Sequence, residues 1–319
     1  MFLNISKTEK IPLAGRSTAT VRILGNPKLP KVVFLHGHSM NSKMLVPYVL
    51  PFLNKNCFIL PDTRGFGATP IGSVSDKDIL KTFSDDLRTI LKNLDIKEFK
   101  LCGISTGALI GMKYLQDKTS RKPSSFLIAE HGMQPINTPG RNVGACPMYQ
   151  DSQMLELLSS MFQKEVATVD GDNYTYSPDS VPYSSMTPAF REIYEFCVHS
   201  ILAPTVSPLL RIPIRLPFYI PFMKSHSPVF DCWKITMIML SSYAKNKYDF
   251  RKTMEFTPVP YELHWGLGSK MFNLNAYQDF IKIQKHNKGR IVEYDSGHDF
   301  FIVEPSKFVK EFSRFLKTH

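Results

Sequence analysis

The chain has few cysteines, and no two of them are spaced as in a disulfide or metal-binding motif. The five are Cys57, Cys102, Cys146, Cys197 and Cys232. An odd number without paired spacing argues against a disulfide framework and favours a reducing compartment. The first fifteen residues also lack the basic start and apolar core of a secretory signal. We therefore expect a cytoplasmic protein, and the sequence leaves its oligomeric state open.

Signatures of nucleic-acid binding are missing as well. The formal net charge is +11, and nine units of this excess lie in residues 1–132. No arginine-rich run, zinc-ligand spacing or RNA-binding signature accompanies them. A solvated basic face is the main interpretation, with weak attraction to anionic surfaces as the alternative. We expect no nucleic-acid partner.

One apolar stretch, residues 201–223, lacks the continuity of a transmembrane helix. It is interrupted by five prolines and by Arg211 and Arg215. A membrane-spanning helix tolerates neither that proline density nor two central arginines without partners. We expect no integral membrane segment here. The stretch is predicted to be a buried or pocket-facing lid, with a membrane-surface element as the alternative.

Short apolar runs alternate with amphipathic helical patterns in much of the 319-residue chain. The runs are residues 32–35, 57–60, 101–102, 126–129, 260–265 and the stretch from 291. Helical periodicity covers residues 76–94, where Ser75 and Asp78 suggest a capped start, and begins again at Pro305. This alternation predicts a mostly parallel sheet covered by helices on both faces.

Residues 133–256 break that alternation. The block is too long for a loop, so we interpret it as an inserted, mainly helical cap. Residues 1–132 and 257–319 then form the α/β core.

The most informative motif is Gly-Ile-Ser-Thr-Gly at residues 103–107. An apolar run precedes it, and a helix-like run, residues 108–115, follows it. A sharp turn from strand to helix crowds its neighbours, which explains glycine at Gly103 and Gly107. Such a turn exposes Ser105 as a candidate nucleophile at the edge of the sheet.

Two further loops supply what a serine nucleophile needs. His36-Gly37-His38 follows the run at 32–35, and the backbone N–H groups of His38 and Thr106 are the predicted donors to an oxyanion. The imidazoles of His36 and His38 are expected only to organise their loop. His298 follows the last predicted strand, which makes it the candidate general base.

Other polar residues receive structural interpretations. In the loop Asp62–Gly67 we expect an Asp–Arg contact that shapes the loop. The remaining histidines are expected to be structural, with His131 the least certain among them. They are His131, His199, His226, His264, His286 and His319.

The order of these motifs resembles the cap-bearing branch of the α/β-hydrolase superfamily. The resemblance covers residues 20–132 and 257–316. It implies an α/β-hydrolase fold, with Ser105 as nucleophile, His298 as base and the amides of His38 and Thr106 as oxyanion donors. It implies no metal and no organic cofactor.

One departure from the family pattern concerns the carboxylate that supports the histidine, which is called the acid of the triad. The family usually places it after the strand that follows the cap, in a Trp-Gly-x-x-Asp pattern, but this chain has Ser269 there. Either the triad is broken or another carboxylate supplies the acid. Glu130, after the run at 126–129, is the main candidate, with Asp295 and Asp279 as weaker rivals.

A glutamate after this earlier strand resembles the arrangement in certain haloalkane dehalogenases and, more closely, in zearalenone-type lactonases, which pair it with a serine. The alternative is that Glu130 only binds nearby backbone N–H groups.

These features favour hydrolysis of a small apolar carboxylic ester or lactone through an acyl-enzyme with a Ser-His-Glu triad. Acyl transfer would use the same residues. A non-catalytic small-molecule receptor or scaffold of the same fold is the alternative from another class.

Overall fold

The computed structural model describes residues 6–75, 77–137, 186–196, 232–284 and 289–318, with short pieces at 143, 157, 160–161, 167–170, 173–176, 206 and 208. The strands in these residues are β1 (Ser6–Leu13), β2 (Ser17–Leu24), β3 (Lys31–Leu35), β4 (Cys57–Pro61), β5 (Val74–Ser75), β6 (Lys100–Ile104), β7 (Phe126–Ala129), β8 (Ala167–Asp170), β9 (Asn173–Tyr176), β10 (Tyr261–Gly266) and β11 (Arg290–Tyr294).

The helices in the same residues are α1 (Ser42–Val49), α2 (Ile79–Asn93), α3 (Thr106–Gln116), α4 (Pro188–Phe196), α5 (Trp233–Asn246), α6 (Arg251–Phe256), α7 (Leu274–Gln284), α8 (Phe300–Val303) and α9 (Pro305–Thr318), and a short 3₁₀ helix follows α1 at Leu50–Phe52.

An eight-stranded sheet organises the described part of the chain. Its strand order is β1-β2-β4-β3-β6-β7-β10-β11. The hairpin β1–β2 is antiparallel, and β2 also runs antiparallel to β4. From β4 onward the neighbouring strands are parallel. The predicted mostly parallel sheet is confirmed, and the fold is that of an α/β hydrolase.

The register brings the carboxyl ends of four central strands to one edge of the sheet. Leu35 of β3 pairs with Gly103 of β6, and Ile104 pairs with Ala129 of β7. Ala129 also pairs with His264 of β10. The residues that follow these strands therefore meet at this edge.

Helices cover both faces of the sheet, as the sequence predicts. On one face, α2 and α3 contribute to a large apolar core. On the other, α1, α8 and α9 pack their apolar sides on the sheet, and Phe308, Phe312 and Phe315 of α9 are fully buried. Helix α2 begins after Asp78, whose side chain accepts a hydrogen bond from the N–H of Lys81 as an N-cap does.

The described parts of residues 133–256 contain both helices and strands. Helices α4, α5 and α6 lie here, and β8 and β9 form an antiparallel hairpin that pairs with β5 in a three-stranded sheet. The sequence pattern does not indicate the hairpin, and the expectation of a mainly helical cap stays a prediction because much of the block lies outside the described residues. Apart from Val206 and Pro208, the predicted lid at 201–223 lies outside the described residues.

Cys57 and Cys102 are buried free thiols, and Cys232 is buried as well. Within the described ranges, every helix is too short or too polar to cross a lipid bilayer.

Candidate active site

Ser105 occupies a sharp turn between β6 and α3. Its backbone has φ 50° and ψ −117°, a strained combination for a residue with a side chain. A Cβ on Gly103 would lie 2.4 Å from the N of Ala108, and one on Gly107 would lie 2.4 Å from the carbonyl oxygen of Leu35. Close approach of backbone therefore requires glycine at both positions, as the motif predicts.

His298 reaches this serine from the loop after β11. Its Nε2 lies 3.0 Å from Ser105 Oγ. The loop is held in place because the N–H of Ser296 donates to Glu304 Oε1 at 2.9 Å. Backbone of the same loop presses against Gly266, where a Cβ would lie 2.2 Å from the oxygen of Gly297. The histidine is thus positioned by backbone packing on β10.

Glu130 lies next to His298, near the ring nitrogen that does not face Ser105. It follows β7 directly, has φ 39° and is fully buried. Its Oε2 accepts a hydrogen bond from the N–H of Gly266 at 3.0 Å, and its Oε1 lies 3.2 Å from His298 Nδ1.

The contact between Oε1 and Nδ1 has ion-pair distance but not hydrogen-bond alignment, and among the described residues neither atom has another hydrogen-bond partner. Catalytic hydrogen bonds are often long or poorly aligned before substrate binds. Glu130 therefore both binds a backbone N–H and faces the histidine, which combines the two interpretations given by the sequence.

The loop after β10 carries no carboxylate at the usual family position. Ser269 Oγ accepts a hydrogen bond from the N–H of Met271 at 3.2 Å, and the N–H of Ser269 donates to the oxygen of Gly266 at 3.1 Å. The serine thus stabilises a turn. Of the two rivals to Glu130, Asp295 is exposed and Asp279 lies in α7.

The loop after β3, residues 36–40, lies beside the nucleophile. A Cβ on Gly37 would be 3.3 Å from the Cβ of Ser105. His36 donates from Nδ1 to the oxygen of Gly37 at 2.8 Å and accepts at Nε2 from the N–H of Thr63 at 3.0 Å. Burial lowers the pKa of His36, so the ring is neutral and organises the loop.

The prediction of an Asp–Arg contact within the loop Asp62–Gly67 is wrong, because Arg64 pairs with a different aspartate. Arg64 forms a bidentate pair with Asp86 of α2, with distances of 2.8 and 2.7 Å. Asp62 instead accepts from the N–H groups of Ser42 and Ala68 at 2.7 and 2.9 Å. Both side chains shape loops, but Arg64 finds its acid on a helix rather than two residues away.

Comparisons with known proteins identify others with the same fold. A family model described as the alpha/beta hydrolase fold matches residues 30–184. An esterase from Exiguobacterium antarcticum superimposes with a TM-score of 0.64 over 98% of this chain and 100% of its own, at 16% identity. The enol-lactonase from Burkholderia xenovorans LB400 gives 0.67 over 97% and 99%, at 14% identity.

The chain has the α/β-hydrolase fold, and the family model matches just under half of it. At such low identities, the similarity to the two solved structures concerns the fold alone. In sequence, this α/β hydrolase is 28% identical to 3-oxoadipate enol-lactonase 1 of Acinetobacter baylyi over 110 residues, which are 34% of this chain and 40% of that protein. The match therefore spans well under two thirds of the relative's length.

Two other histidines are buried near the central strands. His131 donates from Nδ1 to the oxygen of Gly132 at 2.7 Å, and burial with the nearby His298 lowers its pKa to about 4. His264 bonds Glu262 at 2.9 Å and Tyr294 at 2.8 Å. His199, His226, His286 and His319 lie outside the described residues.

The sequence does not reveal the residues of α5 that contact the β3 loop. Thr236 Oγ1 lies 2.8 Å from His38 Nε2, and Cys232 Sγ lies 3.4 Å from Ser39 Oγ. These pairs are 198 and 193 residues apart along the chain. No local pattern marks such contacts, because they depend on how the inserted block returns to the core.

Within the described ranges, no three His, Cys, Asp or Glu side chains converge to form a metal site.

Proposed function

We propose that this α/β hydrolase is a serine hydrolase that cleaves a carboxylic ester or lactone through an acyl-enzyme. The observation that carries the proposal is the continuous row from Ser105 Oγ to His298 Nε2, at 3.0 Å, and from His298 Nδ1 to Glu130 Oε1, at 3.2 Å. A hydroxyl, an imidazole and a buried carboxylate in this order suit nucleophilic catalysis.

In the proposed reaction, Ser105 Oγ attacks the carbonyl carbon and its proton passes to His298 Nε2. The N–H groups of His38 and Thr106 stabilise the resulting oxyanion. Collapse of this intermediate breaks the bond to the alkoxy oxygen, which takes the proton from His298. A water molecule then attacks the acyl-enzyme by the same route, and Glu130 stabilises the imidazolium in both halves.

The proposed substrate class is a small, apolar ester or lactone. Apolar and aromatic side chains surround the site: the ring centroid of Phe272 lies 6.1 Å from that of His298, and Phe66 lies 5.5 Å from His38. The similarity to an esterase and to enol-lactonases supports this class. Glu130 follows β7, and on this basis we include the resemblance to zearalenone-type lactonases in the proposal.

We also propose that residues 133–256 act as a cap over the site, since α5 contacts the β3 loop directly. The buried free thiols of Cys57 and Cys102 are consistent with a reducing, cytoplasmic location.

Labelling with a fluorophosphonate tests the proposal. We expect one covalent adduct per chain, located at Ser105 by peptide mass spectrometry, and no adduct in Ser105→Ala. A panel of nitrophenyl esters of graded chain length, assayed beside lactones, then narrows the substrate. Folded wild-type protein that neither reacts with the probe nor hydrolyses the panel contradicts the proposal and favours the receptor alternative.

A further inference from the structure

A closed ring of hydrogen bonds joins the β3 loop to the start of α5. His38 contributes both ring nitrogens: Nε2 lies 2.8 Å from Thr236 Oγ1, and Nδ1 lies 2.9 Å from Ser39 Oγ. Ser39 Oγ in turn lies 3.4 Å from Cys232 Sγ, and Thr236 Oγ1 lies 2.8 Å from the carbonyl oxygen of Cys232. Ser39 and Thr236, from two distant parts of the chain, thus hold one imidazole between them, and Cys232 contacts both.

The contacts of Thr236 determine which nitrogen of His38 carries the proton. A carbonyl oxygen only accepts, so the single hydroxyl proton of Thr236 goes to Cys232 O. Thr236 Oγ1 must then accept from His38 Nε2–H. Burial lowers the pKa of His38 to about 4, so its ring is neutral and Nδ1 accepts from the Ser39 hydroxyl. The thiol of Cys232 lies 3.4 Å from Ser39 Oγ and 3.6 Å from Thr236 Oγ1, so it can donate to either oxygen.

Further contacts hold the β3 loop and its neighbour against α5. The edge of Phe66 meets His38 with ring centroids 5.5 Å apart. The next loop touches α5 closely, because a Cβ on Gly65 would lie 2.6 Å from the Cβ of Ile235. Helix α5 is anchored separately to α2, where the N–H of Ile79 donates to Ser242 Oγ at 3.0 Å.

We propose that Thr236 is a positioning residue of the inserted block: by accepting from His38 Nε2, it fixes the backbone of the β3 loop in the geometry that binds the oxyanion. The inference rests on the proposed hydrolase function and deepens it, because it makes the approach of α5 part of the active-site assembly. A loop displaced by a fraction of an ångström would misplace the His38 N–H without changing Ser105 or His298.

The test compares Thr236→Val, which keeps the shape and loses the acceptor, with Thr236→Ser, which keeps the hydroxyl. Two quantities are measured for each variant: the rate of nitrophenyl-ester hydrolysis and the rate of fluorophosphonate labelling. We expect Thr236→Val to lower kcat by about 10- to 100-fold with KM changed by less than about threefold, since oxyanion donors act in the transition state. Thr236→Ser should restore most of the rate.

Ser242→Ala is the matched control on the same helix. It removes an anchor of α5 far from the β3 loop and should lower the melting temperature while leaving kcat within about twofold. A second arm uses His38→Ala alone and combined with Thr236→Val. If Thr236 acts through His38, the double variant is no slower than His38→Ala, whereas independent effects would multiply.

Full kcat in folded Thr236→Val, or multiplying effects in the double variant, overturns the inference and leaves the proposed function intact. Should Thr236→Val fail to fold, His38→Ala with and without Thr236→Ser replaces it, and a normal kcat in His38→Ala is the overturning result. Wild-type protein without labelling or hydrolysis overturns the proposed function itself.

Discussion

At the scale of single residues, two members of the proposed triad occupy strained backbone positions. Ser105 and Glu130 both have positive φ, at 50° and 39°. Each such position costs on the order of 1–3 kcal/mol for a residue with a side chain. Both residues follow directly after a central strand, so the strain turns their side chains toward the same histidine. The cost is offset elsewhere by the buried core of the sheet.

Replacement of Glu130 by glutamine tests the proposed acid. The amide cannot stabilise an imidazolium and can hold the wrong tautomer of His298, so we expect kcat to fall by about 10³- to 10⁴-fold. Measured on the same esters, Asp295→Asn should leave kcat near the wild-type value because Asp295 is exposed. Reversal of these two results would move the acid from Glu130 to Asp295.

At the scale of elements, the turn from β6 to α3 depends on contacts of backbone with backbone. A methyl group on Gly107 would meet the carbonyl of Leu35, which cannot move without breaking the register of β3 with β6. The turn and the strand pairing are therefore one unit.

Gly107→Ala is expected to lower the free energy of unfolding by about 1–3 kcal/mol or more, and to reduce labelling of Ser105. Gly268→Ala is the control, because its nearest contact would be 3.4 Å, an ordinary van der Waals distance. Urea unfolding of both variants measures the difference. Equal stability of the two would contradict the crowding that we assign to this turn.

The central strands were predictable because they are buried on both faces and read as continuous apolar runs. The hairpin β1–β2 was not, since β1 is a largely exposed edge strand with little apolar signal. The carboxylate that pairs with Arg64 could not be predicted either, because the sequence pattern does not mark it. Asp86 lies on the buried side of an amphipathic helix, and only packing of α2 on the sheet brings it to the arginine.

At the scale of the whole molecule, several buried histidines link stability to pH. Burial lowers the pKa of His36, His38, His131 and His264 below the usual 6.5. The unfolded chain therefore binds protons that the folded chain does not, once the pH falls below about 6.5. Stability should be lost from there down to about pH 4, the folded pKa of His131, and should not depend on these groups above pH 7.

The check is urea unfolding at a series of pH values, with His131→Asn as the comparison. Asparagine keeps a donor for the Gly132 carbonyl but does not titrate. We expect the loss of stability on acidification to be shallower in this variant, by up to about 1.4 kcal/mol per pH unit. Parallel curves for the two proteins would show that His131 carries no part of the acid sensitivity.

The meeting of Ser105, His298 and Glu130 followed from the sequence because all three come after parallel strands, and the carboxyl ends of such strands share one edge. The ring at Thr236 did not, because the inserted block has no periodicity that fixes where α5 returns. Local pattern thus predicts what the sheet positions, while contacts between the insertion and the core require the folded chain.

The position of the proposed acid after β7 has a further consequence for the loop after β10. In the proposed triad this loop holds no charge for the histidine, and Ser269 closes a turn there. Leu267 of this loop is exposed, so the packed core does not fix its size, whereas the buried Phe272 packs against Trp265 and His298. The exposed side of the loop can therefore accept substitutions that leave the contacts from Ser105 to Glu130 unchanged.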